Sequence, residues 1–182
     1  MGLRARKHSV VIALAATFAI PVGLTVTARA AAPPLGQDVL EPVMRDSTCY
    51  KYATADRQFT DKMNEERQSR GLGTMRLDPE LSWVAKKHTQ DMIKANQLFH
   101  SSSQQLTSRI TRWSTLGENV GVGGDVDSLH QAYMNSPDHR SNILFKGFTF
   151  VGVGTIVKDG KMWTTTIFEL RNNPGTRLRM PC

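Results

Sequence analysis

The sequence predicts an α+β domain, with helices in its first part and a β-hairpin at its end. Three observations carry that expectation. Asp78-Pro79 supplies a helix N-cap followed by proline at the first helical position, and Leu81, Val84, Ala85, His88, Met92 and Ala95 then fall on one helical stripe. Leu129, Ala132 and Tyr133 mark a second stripe, which Pro137 interrupts. Phe148 to Val157 alternates as a strand, and Asp159-Gly160 offers a hairpin turn into Met162 to Leu170.

Residues 1–30 are expected to be a secretory signal peptide. Arg4, Arg6 and Lys7 precede an apolar run beginning at Val10, and Ala28-Arg29-Ala30 fits a small-x-small cleavage site. A retained membrane anchor is the competing reading, but Val10 to Val26 is short for a span and Pro21 and Gly23 interrupt it. No cysteine stands at the cleavage point to take a lipid, and Arg6 does not fit a myristoylation signal. The remaining 152 residues suffice for one domain with its own core. Arg4, Arg6, Lys7 and Arg29 supply four of the +7 charges and the leader holds no acidic residue, so the remainder carries +3. That surplus is weak grounds for a nucleic-acid partner, and no recognition motif accompanies it. The only two cysteines, Cys49 and Cys182, invite pairing in an exported chain. The loop they would close is worth at most about 5 kcal/mol in the chain-entropy model, and intermolecular pairing through the terminal Cys182 is the alternative.

Within the mature chain, residues 31–53 form an extended lead-in, marked by Pro33, Pro34 and Pro42 and containing Cys49. From about Thr54 a mostly polar helix carries Phe59, Met63 and Glu66-Arg67 and ends at Gly71-Leu72-Gly73; it is expected on the outside of the domain. The helix opened by Asp78-Pro79 should end around Gln97, with His88 a packed or hydrogen-bonded core histidine. His100 follows that end, where favourable contact with the helix dipole is the simple account of it. Ser101-Ser102-Ser103 breaks the chain before a short helical stretch around Gln104 to Ile110. Leu116 to Val120 is strand-like, although Glu118 and Asn119 are poor strand formers and require partners or solvent. Gly121, Gly123 and Gly124 read as a flexible loop. The next helix should stop near Ser136, and the stretch Tyr133 to Leu144 then turns toward the sheet and aims His139 inward. A histidine that caps the last carbonyls of a helix remains the alternative.

These pieces resemble the secreted CAP family, also called the SCP or pathogenesis-related-1-like domain, in its short bacterial form. The resemblance runs from about Phe59 to Leu170. It rests on Met63-Asn64-Glu65-Glu66-Arg67, Leu77-Asp78-Pro79-Glu80-Leu81 with Ala85 and Asp91-Met92, and Phe99-His100. Gly117-Glu118-Asn119-Val120, the run from Tyr133 to Leu144, and Val151-Gly152-Val153-Gly154 complete it. The resemblance implies an α-β-α sandwich with a mainly antiparallel sheet. It also implies a cavity lined by two histidines and two glutamates, in which the histidines of many members hold a divalent metal, often zinc. Carried over, the histidines are His100 and His139 and one glutamate is Glu118. Ser136 occupies the place of the second glutamate, Tyr133 that of the usual tryptophan, and Asn142 that of a glutamine found in many eukaryotic members.

The domain is accordingly expected over residues 54–172, followed by a tail, 173–182, in which Arg177-Leu178-Arg179-Met180 is an ordinary solvated strip. The leading expectation is a secreted, monomeric, non-catalytic binding module. It would present His100, Glu118, Ser136, His139 and Asn142 to a lipid, cell-wall component or protein, outside the cell or at its envelope. The alternative is a metal-dependent hydrolase using His100 and His139 with Glu118 as base, although the missing carboxylate weakens any cation site and no Gly-x-Ser-x-Gly elbow is present. A third account makes His100, Glu118 and His139 a buried hydrogen-bonded network without a ligand.

Overall fold

A computed structural model describes residues 50–111 and 113–171. The elements are α1 (Thr54–Gln68), β1 (Arg76–Leu77), α2 (Pro79–Ala95), α3 (Ser103–Arg109), β2 (Trp113–Gly123), α4 (Val126–Asn135), α5 (Pro137–Leu144), β3 (Phe150–Lys158) and β4 (Lys161–Arg171). The sheet order is β1-β3-β4-β2, with β1 parallel to β3 and the other pairings antiparallel. Each of the first two strands therefore pairs only with one of the last two.

Helices cover both faces, and strand alternation decides which residue meets which layer. On one face Val151, Val153 and Phe168 join Phe59 and Met63 of α1, Leu129 and Tyr133 of α4, and Ile143 of α5. On the other, Leu116 and Ile167 join Leu81, Val84 and Ala85 of α2 and Leu106 of α3. Val120 and Trp163 continue that second layer against Met92. The α-β-α sandwich is thus present.

The Asp78 carboxylate accepts the Glu80 and Leu81 N–H groups at 2.9 and 3.2 Å, which starts α2. Asn96, in the left-handed region at φ 48°, reverses the chain after it. The apolar stripe on α2 faces the sheet as expected, except that Ala95 at its end is exposed, as is Ala132 on α4. At two positions of β3 there is no room for a side chain against α2. A Cβ at Gly152 would lie 2.2 Å from the Leu81 carbonyl carbon, and one at Gly154 would lie 2.3 Å from the Lys86 nitrogen.

Three sequence expectations are corrected. The first helix is not peripheral: Phe59 and Met63 are fully buried and Arg67 is 1% exposed. Its polar composition misled because the buried guanidinium is satisfied by carbonyls. Arg67 donates to the Gly73, Ile143, Phe145 and Phe148 oxygens at 2.7–3.1 Å. Gly121 and Gly123 lie inside β2 rather than in a loop. Pro137 ends one helix but also opens another, α5, because proline is well placed at a first helical position. The stretch after Tyr133 therefore runs through a further helix before it reaches the sheet.

Candidate functional site

Glu118 lies on β2 with its side chain 4% exposed. Its Oε1 accepts the Ser101 N–H at 2.8 Å and is 3.0 Å from His100 Nδ1. A carboxylate oxygen is an acceptor, so Nδ1 carries a hydrogen, and in the neutral ring Nε2 of His100 is then the acceptor nitrogen. The segment that carries His100 is held one residue earlier as well. His88, buried on α2, places Nε2 2.8 Å from the Phe99 carbonyl oxygen and sets its ring edge-on to the Phe99 ring. His88 is thus the packed, hydrogen-bonded histidine expected from the sequence.

Asn119 is the next residue of β2 and points to the opposite face. Its Nδ2 donates to the His139 carbonyl at 3.0 Å, and its Oδ1 accepts from Asn142 Nδ2 at 2.9 Å. Asn142 Nδ2 also reaches the Glu118 carbonyl oxygen at 3.2 Å, tying α5 to β2. The His139 ring stacks on Tyr133 with centroids 4.8 Å apart and planes 23° apart. Gly121 makes room for that tyrosine, since a Cβ there would come within 2.9 Å of Tyr133 Oη. Burial, and secondarily the charge of Glu118, push the Tyr133 pKa well above the usual phenol range. Tyr133 Oη and Glu118 Oε2 are both buried without a hydrogen-bond partner.

The fold therefore joins His100 to Glu118 and Asn142 to Asn119, and brings His139 in through its backbone and its ring stack. Ser136 stands at the α4–α5 junction, where its carbonyl accepts the Arg140 N–H at 2.9 Å; its hydroxyl does not cap α5. Among the described residues no group of three or more His, Cys, Asp or Glu side chains converges to hold a cation. Glu118 Oε1 already accepts from two N–H groups, whereas its Oε2 has none. Ser101 and Asn119 were missed as site residues, although the poor strand propensity of Asn119 signalled a need for a partner.

A cleft of about 490 Å³ lies elsewhere, between α1 and the start of α4. Asp61, Lys62, Glu65, Asp125, Asp127 and Met162 contribute to its walls, and none of the expected site residues does. The expected signal peptide, most of the lead-in, the tail and the expected Cys49–Cys182 pairing lie outside the described residues.

A family model described as the cysteine-rich secretory protein family, CAP, matches residues 60–167. The uncharacterized protein YkwD of Bacillus subtilis is 34% identical over 116 residues, which cover 60% of this chain and 45% of YkwD. An extracellular SCP-domain protein of Bacillus anthracis superposes with a TM-score of 0.57 at 29% identity, over 63% of this chain and 40% of that one. An outer surface protein of Borrelia burgdorferi has a TM-score of 0.59 at 17% identity, over 64% of this chain and 92% of that one, a likeness of fold. The chain spans less than half the length of the curated relatives it matches.

Proposed function

Because this chain belongs to the cysteine-rich secretory protein (CAP) family, we propose that it is an exported, non-catalytic binding module that engages a cell-envelope lipid, wall component or protein through His100. The observation that carries the reading is the shared Glu118 oxygen. By fixing both the His100 ring and the Ser101 N–H, it leaves Nε2 of a side chain 22% exposed as an oriented acceptor. Such an acceptor suits a hydroxyl or amide N–H on the ligand. Export is supported by the amino-terminal pattern of the sequence and by the extracellular description of the B. anthracis relative. Among the described residues no helix is long and apolar enough to cross a membrane.

The hydrolase reading has less support. His100 and Glu118 form a hydrogen-bonded acid–base pair, but among the described residues no cluster of three or more His, Cys, Asp or Glu side chains is found around them. The test is binding of chain lacking residues 1–30 to isolated cell-wall polymer, to lipid vesicles and to envelope protein extracts, with His100→Ala alongside. Specific binding that weakens about tenfold in the folded variant is expected. Equal binding by the two proteins, or none by the wild type, would overturn the reading.

A further inference from the structure

We propose that His88 is a positioning residue for His100: a buried histidine one helix away sets the tautomer of the partly exposed one. The Phe99 carbonyl can only accept, so His88 Nε2 must carry a hydrogen. Its Nδ1 is buried with no partner, so a hydrogen there would be a stranded donor. The Nε2–H tautomer is thus the one that leaves no stranded donor at this site. The chain between Asn96 and Ser102 belongs to no helix or strand. It is pinned by three consecutive residues: the Phe99 carbonyl on His88, the His100 ring on Glu118 and the Ser101 N–H on Glu118. Removing the first pin frees the peptide that joins Phe99 to His100. The imidazole can then turn away from the carboxylate and relax to the Nε2–H form that isolated imidazole side chains prefer, which abolishes the acceptor.

The inference concerns the site of the proposed function, but its test uses the free protein, so its failure is distinct from a failure to bind ligand. Nitrogen–proton correlation spectra of the histidine rings read the tautomers directly, with His100→Ala and His139→Ala used for assignment. The wild type is expected to show Nδ1–H at His100 and Nε2–H at His88. His88→Gln, whose amide can donate to the Phe99 carbonyl, retains the His100 signature, whereas His88→Phe, which fills the space without a donor, loses it. A folded His88→Phe with the His100 signature unchanged overturns the proposal. If that variant does not fold, an Nδ1–H form of His88 in the wild type, or a folded His88→Gln that has lost the His100 signature, overturns it equally.

Discussion

Glu118 and Asn119 show how much one position along a strand decides. Glu118 meets His100, and Asn119 meets α5, because successive side chains leave β2 on opposite faces. Asn142→Ala would leave Asn119 Oδ1 without the donor it has now and weaken the α5–β2 joint. A loss of about 1–3 kcal/mol is expected from urea denaturation, and an unchanged midpoint would show that the joint is not supporting the fold. Arg67→Met is a harsher change, because it strips four carbonyls of their donor. It should cost at least about 3 kcal/mol, read the same way, and a loss under about 1 kcal/mol would contradict the assigned role. The sequence pointed to His100 and Glu118 together only through family resemblance. It did not reveal that Ser101 shares the carboxylate, because a backbone N–H leaves no mark in residue type.

Among the elements, the amphipathic α2 and the final hairpin were legible because cap, stripe and turn agree. The α4–α5 corner was not, since proline both ends a helix and begins one, and only the chain beyond it settles which. The glycines of β2 were ambiguous for a related reason: glycine serves the close approach of helices, as at Gly152 and Gly154 of β3, as well as turns. Gly154→Ala is therefore expected to push α2 off β3 and cost about 1–3 kcal/mol in chemical denaturation. Gly73→Ala, where an added Cβ meets nothing within 4 Å, serves as the matched control and should be nearly neutral. Equal effects at the two positions would contradict the packing account.

The molecule as a whole should respond to pH at both ends of the scale. Burial lowers the His130 pKa, a shift only partly opposed by Glu66. The unfolded chain takes up a proton near pH 6.5 that the folded chain refuses, so stability falls as pH drops through that value until the folded pKa is passed. His130→Phe should flatten this part of the melting-temperature profile; an unchanged slope would exclude His130 as its source. All three tyrosines shift upward, chiefly by burial, with Tyr52 at about 12 and Tyr50 and Tyr133 higher. The folded state keeps protons that the unfolded state loses above about pH 10, so stability declines from there upward. Phenolate absorbance should lag that of the denatured chain; coincident titrations with the circular dichroism intact would refute this. The strand order also bears on how such a chain acquires its shape. Since β1 pairs with β3 and β2 with β4, a chain emerging amino-terminus first can form helices but no sheet until the closing hairpin arrives. The hydrogen bonds from Thr155 to Asp56, 99 residues apart, cannot form before then either. Until β3 and β4 are free, the helices made earlier have no sheet to pack on, so the length of emerged chain sets when the core can close.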